Sequence, residues 1–200
     1  MLYAVGFSYI DEVTGEEIFV PGLYDVITEK MENVIAGEKN YPTSASDAFT
    51  RFSQAIGEYI EENATITYGW SGVFTPPPPA APIPDPLVTF NASISYGGSV
   101  MAVPNSYATF ILNLSTFLRT AFTLSAPSDF TLSPLTFNPA GLVTIVMANE
   151  TSYQTAVTKI CENIITQFKT NYINPTPASG THLPTGPTPF LGSTVSMLIG

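Results

Sequence analysis

Cys161 and His182 are the residues with which this sequence could do nucleophilic chemistry, and it contains one of each. A thiolate beside an imidazole is an activated nucleophile. The flanks of neither residue form a nucleophile elbow or a thiol-protease segment. Cys161 follows Ile160 on an apolar stripe and reads as a small buried hydrophobe. His182 sits in the turn-rich run Ser179-Gly180-Thr181-His182-Leu183-Pro184 and reads as a loop histidine. A single histidine excludes a multi-histidine metal site. Carboxylates cluster at Asp11, Glu12, Glu16 and Glu17, and again at Glu58, Glu61 and Glu62. A pair of them could run glycoside hydrolysis, and Asp11 with Glu16 or Glu17 could meet Ca²⁺, but no EF-hand spacing is present. The first cluster reads as hairpin-turn chemistry and the second as the polar end of a helix. Tyr96-Gly97-Gly98-Ser99 reads as a turn and matches no phosphate-cradling loop. The expectation is a protein that is not an enzyme, with no catalytic residue, no cofactor, no metal and no small-molecule substrate.

The elements that would position these residues read as an α+β fold of about four amphipathic helices, short antiparallel strands or hairpins, and long proline-rich arms. Residues 2–20 read as a hairpin turning at Asp11-Glu12-Val13-Thr14-Gly15. Residues 23–36 read as a helix, with Leu23, Val26, Ile27, Met31, Val34 and Ile35 on one face and Gly37 at its C-terminal cap. Residues 44–62, 106–122 and 152–169 give three more helices. Thr65 to Phe74 reads as a strand, Leu87 to Val103 as a hairpin turning at Gly97-Gly98, and Leu191 to Ile199 as a last strand. Proline holds φ near one value and restricts its predecessor, so 75–86 and 174–190 read as extended arms. The chain divides into 1–43 (hairpin and helix), 44–104 (helix, proline-rich arm and hairpin) and 105–200 (two helices with arms and a terminal strand), folding as one compact unit. Aligning Ser44, Ser106 and Ser152 superposes Phe52, Leu114 and Ile160, then Ile56, Leu118 and Ile164, which suggests a helix–arm–strand repeat.

Charge narrows the partners. Apolar residues are 44% of the 200, but only 11% are charged, against about 25% in ordinary soluble domains. Residues 1–63 hold 12 of the 16 acidic residues and 3 of the 6 basic ones, and the other 137 residues carry seven charges. Six scattered basic residues and a net charge of −10 do not make a phosphate-binding surface, so nucleic acid is not expected as a partner. No apolar run reaches the roughly 18 residues of a membrane span. Met1 to Gly6 lacks the basic and apolar regions of a secretory signal, so synthesis in a host cytoplasm is expected.

The positive signal is contact chemistry. Aromatic residues are favoured, and charged ones depleted, at the centres of interfaces. Extended proline segments lose little entropy on docking because they are already restricted. Tyr68, Trp70, Phe74, Pro77, Pro78, Ile83, Leu87 and Phe190 are the interface candidates on these grounds.

The stretches Gly72-Val73-Phe74-Thr75-Pro76-Pro77-Pro78-Pro79 through Pro86-Leu87-Val88-Thr89-Phe90, and Asn174-Pro175-Thr176-Pro177 through Pro189-Phe190, carry a resemblance by composition. With the low charge they make the chain similar to the small virion structural proteins of tailed bacteriophages. The resemblance implies a capsid-decoration, neck or collar, tail or baseplate component, a homo-oligomer that binds other virion structural proteins and resides in the virion. The alternatives are an extracellular adhesion or carbohydrate-binding module stacking sugars on Tyr68 and Trp70, and a hydrolase.

Overall fold

Strand β1 (Phe7–Ile10) pairs antiparallel with β2 (Glu17–Val20) in a two-stranded sheet of its own. A computed structural model of the chain describes residues 1–35, 38–74, 83–125, 130–131, 136–137, 152–173, 179–182 and 188–199. Its fold is α+β, with four helices and antiparallel strand pairs among those residues. The first hairpin is shorter than the expected 2–20. Asp11 Oδ1 accepts the N–H groups of Val13 and Thr14 at 2.7 and 3.2 Å, and Gly15 takes the turn's positive φ of 72°. Leu2 to Gly6 does other work. Leu2 is fully buried, and the Tyr3 and Ala4 carbonyls accept the N–H groups of Leu23 and Tyr24, both at 2.9 Å. These are two of the four donors that the start of a helix leaves unpaired.

Helix α1 (Leu23–Glu32) buries Leu23 and Ile27. Asp25 Oδ2 reaches back to the N–H of Gly22 at 2.9 Å and takes that of Gly6 at 2.7 Å, tying the hairpin's root to the helix start. The helix stops four residues before the expected end at Ala36. Asn33 turns to φ 27° while its N–H still donates to Glu29, and the β-branched pair Val34–Ile35 becomes strand β3 against β4 (Glu38–Lys39). Asn tolerates positive φ better than most residues, and Val and Ile lose less in a strand than in a helix. Gly37, the expected cap, lies outside the described residues.

Helix α2 (Ala45–Asn63) is capped by Ser44, whose side chain accepts the N–H of Asp47. Its stripe, Phe52, Ile56 and Ile60, is buried as the 3.6-residue period predicts. Ser53, also buried, donates to the Phe49 carbonyl at 2.6 Å and accepts the Met101 N–H at 2.9 Å. The Tyr59 hydroxyl closes a two-way bridge, donating to the Tyr3 carbonyl at 2.8 Å and accepting the Tyr3 N–H at 2.7 Å. Burial pushes the Tyr59 phenol up from its usual value.

The chain then enters β5 (Ile66–Phe74) and β6 (Ile83–Tyr96), follows with α3 (Tyr107–Thr120) and β7 (Phe122–Ser125), and continues through β8 (Phe130–Thr131) and β9 (Thr136–Phe137). Helix α4 (Tyr153–Asn171) leads to β10 (Tyr172–Ile173), β11 (Ser179–His182) and β12 (Thr188–Ile199). Six strands form one antiparallel sheet in the order β7-β6-β5-β12-β11-β8. The expected hairpin over Leu87–Val103 is corrected here. β6 runs straight through to Tyr96, and its end pairs with β7, which arrives only after α3. Gly97 and Gly98 end the strand without a return. Gly97 donates to the Ala121 carbonyl, Met101 donates to Ser53 of α2, and the Ala102 carbonyl accepts from Asn113 of α3. The last strand begins at Thr188, three residues before the expected Leu191.

One hydrophobic cluster joins all four helices to the sheet. It includes Leu2 and Ile27, Ile56 and Ile94, and Leu118 and Phe168, so each of the three sequence segments contributes to it. Phe122 meets Phe168 edge-on at 5.5 Å, and Tyr96 stands between Phe117 and Phe122 at 6.3 and 6.0 Å. Gly57 is there to admit that tyrosine, since a Cβ at position 57 would lie 2.5 Å from the Tyr96 ring.

Candidate functional site

Six of the eight sequence-selected interface residues fall in a single three-stranded ribbon, β6-β5-β12, although they span residues 68 to 190. Phe74 is paired with Ile83 on one side and Phe190 on the other. Trp70 pairs with Val88 and Thr194, and Tyr68 with Phe90 and Met197. Leu87 lies at the register shift of β6 between Trp70 and Gly72, and β12 shifts between Thr194 and Ser196. Both neighbours of β5 therefore gain a residue beside Trp70, as bulges do where a strand must bend. Pro77 and Pro78 lie outside the described residues.

Ile66 is in register with Ala92 and Ile199, Thr67 with Asn91 and Leu198, and Gly69 with Thr89 and Ser196. Near the end of β6, Ile94 is buried in the helical core while Ser93 and Ser95 are exposed. At the far end, Ile83 to Asp85 pair with Gly72 to Phe74. That part of the expected arm is a ladder strand, and the rest of it, 75–82, lies outside the described residues. The fold tolerates Pro84 and Pro86 because β7 pairs with β6 only from Ser93 onward. Prolines inside sheets are confined to such stretches, where one side of the strand has no described neighbour.

The residues with chemical potential are placed apart from each other. Cys161 is completely buried in α4, and burial pushes its thiol up to about 12, so it stays protonated and unreactive at neutral pH. His182 ends β11 opposite Thr188, in a strand and not in the expected loop. Asp11 is spent on its turn, and Glu58 pairs with Lys30 at 2.6 Å. Among the described residues no three His, Cys, Asp or Glu side chains gather as a metal site would require, and no helix is long and apolar enough to cross a membrane.

Two features escaped the sequence reading. A cleft of about 670 Å³ opens between α1 and the start of α2, lined by Tyr24, Thr28, Met31, Tyr41 and Ser44. Through Met31 and Ala48 it adjoins a smaller apolar hollow walled by Phe49, Phe52, Phe110 and Ile160. The second feature is the β1–β2 hairpin, several of whose apolar residues remain in solvent: Ile10 is 61% exposed, Val13 94% and Phe19 56%. A readable signal existed in the four-residue strands, which carry apolar residues at odd and even positions alike. No family model, no curated protein and no solved structure matches the chain.

Proposed function

We propose that this protein is a structural virion subunit of the tailed-bacteriophage kind, assembling with copies of itself and with other virion proteins. The observation that carries the reading is the ribbon's register, which gathers Tyr68, Trp70, Phe74, Ile83 and Phe190 from distant segments into one sheet. That ribbon belongs to the part of the chain with seven charges in 137 residues, and a surface so poor in charge suits contact with protein better than long exposure to water. At about 3.3 Å per residue, nine-residue β5 makes a ribbon roughly 30 Å long, enough to bridge to a neighbour. Residues 75–82 join β5 to β6 at its tip. Burial of apolar area, worth roughly 25 cal/mol per Å² before ordering costs, would drive the contact.

The test is the solution mass of the full chain by light scattering, beside a variant in which residues 75–82 are replaced by Asn-Gly. That dipeptide closes a two-residue hairpin and preserves the Phe74–Ile83 pairing. A discrete oligomer that falls to monomer in the variant supports the reading. A folded monomer in both cases sinks self-assembly through the ribbon's tip.

A further inference from the structure

We infer that the β1–β2 hairpin is a docking element for an extended, lysine- or arginine-bearing segment of a different protein. The inference deepens the assembly reading and rests on it. Three observations combine. First, the hairpin is an isolated pair of four-residue strands, bonded to each other and to no other described strand. Two-stranded sheets of this size are marginal in water and gain stability when a third strand or a packed surface covers them. Both outer edges present strand backbone to such a partner, the geometry of strand addition.

Second, both faces of the hairpin carry apolar side chains in solvent. Register puts Phe7 and Tyr9 on one face, and Ile10 and Phe19 on the other. All four are at least 40% exposed. The first face is partly propped from inside, since Phe7 meets Tyr3 edge-on at 4.8 Å. On the second, the tip of the Phe19 ring lies close over Gly6, yet Ile10 and Phe19 both stay more than half exposed, so an added strand would bury the most there.

Third, charge selects the occupant. Asp11, Glu12, Glu16 and Glu17 crowd the hairpin's turn and the start of β2, and no basic residue precedes Lys30. The three basic residues of the acidic third are already engaged, Lys30 with Glu58, Lys39 with Glu32 and Arg51 with Asp47. The remaining three in the whole sequence, Arg119, Lys159 and Lys169, are scattered along it and form no basic run. A second copy of this chain therefore offers no cationic cluster to meet the hairpin, and like charges brought together oppose the contact. An anionic lipid surface is excluded by the same sign. A foreign strand with alternating apolar and basic residues satisfies the edge, the faces and the charge together.

The probe is a fluorescently labelled synthetic strand peptide alternating Val and Lys, with a second peptide bearing Glu in place of Lys. Anisotropy is measured on the full chain. The Val-Lys peptide is expected to bind, and the Val-Glu peptide to bind at least tenfold more weakly. Ile10→Ser with Phe19→Ser should weaken the Val-Lys peptide at least tenfold. Glu12→Gln, Glu16→Gln and Glu17→Gln together should weaken it and flatten its salt dependence, and this set leaves the apolar contacts of the fold intact. Equal binding of the two peptides, or binding unchanged in both variant sets, overturns the inference. So does a light-scattering dimer of the parent that Phe19→Ser dissolves, which would assign the hairpin to a second copy. An oligomer that depends on 75–82 with no peptide binding leaves the assembly reading standing and removes the hairpin. Peptide binding by a permanent monomer does the reverse.

Discussion

The core around α2 and the β1–β2 hairpin are both rich in aliphatic and aromatic residues, yet they use them in opposite ways. Around α2, Phe52, Ile56, Tyr59 and Ile60 are sealed, and even the polar atoms are paired, Ser53 with Phe49 and Met101, Tyr59 with both backbone groups of Tyr3. In the hairpin, Phe7, Tyr9, Ile10 and Phe19 are exposed, and Asp11 serves its own turn. The difference teaches that apolar content does not tell where a core is. A 19-residue helix presents one apolar stripe that neighbours can cover, whereas a four-residue strand pair has two faces and too little length to bury either.

Substitutions that break the core should therefore cost far more than matching ones in the hairpin. The largest effect is expected for Ile56→Ala, which leaves a cavity at a fully buried site and should lower unfolding stability by about 2–5 kcal/mol, read by urea titration. Gly57→Ala comes next. In an isolated helix the change would add stability, but here the new methyl runs into the Tyr96 ring, and a loss of about 1–3 kcal/mol is expected. Ser53→Ala leaves the Met101 N–H buried without its acceptor and should cost about 1–2 kcal/mol. Ser44→Ala removes a helix cap, with about 1 kcal/mol expected. Phe19→Ser closes the series, within roughly 0.5 kcal/mol of the parent. A loss there comparable to that of Ile56→Ala would erase the contrast and place Phe19 in a core.

Alkali sharpens the same contrast. The Cys161 thiol is raised from 9.0 to about 12 because burial disfavours the thiolate. A raised folded value means that its contribution is complete below about pH 9 and is lost as pH climbs from there toward 12. Tyr59, raised for the same reason, adds to the loss above its own ordinary value. Stability should fall in this range, and Cys161→Ala should flatten the lower part of the decline. At neutral pH iodoacetamide should leave Cys161 unmodified in the folded chain and alkylate it readily in urea.

Much of the helical layer was legible in the residues. The Phe52–Ile56–Ile60 stripe, the Leu114–Leu118 stripe and the Ile160–Ile164 stripe each announce a helix, and Ser44, Ser106 and Ser152 mark the starts, each accepting an N–H three residues on. These are local signals, carried within a few turns. The premature stop at Asn33 depended on one residue's backbone choice, and the pairing of the end of β6 just before Gly97 depended on β7, which lies beyond α3. A turn signal such as Gly97-Gly98 states that the chain can bend and leaves open which strand completes the ladder.

The candidate site divides along the same line. The residue types suited to contact, Tyr68, Trp70, Phe74, Ile83 and Phe190, could be chosen from the aromatic and proline content of a stretch poor in charge, and the acidity of the hairpin could be counted. By itself the sequence determined the helices, their buried stripes and caps, and the uneven distribution of charge, because propensity, periodicity and ionisation are properties of short segments. Only the tertiary structure decided that β12 lies against β5, that Cys161 is sealed while Phe19 is not, and that the Tyr59 hydroxyl bridges to Tyr3. Each of those depends on pairing between residues tens of positions apart, where many registers satisfy the same local pattern and packing selects among them.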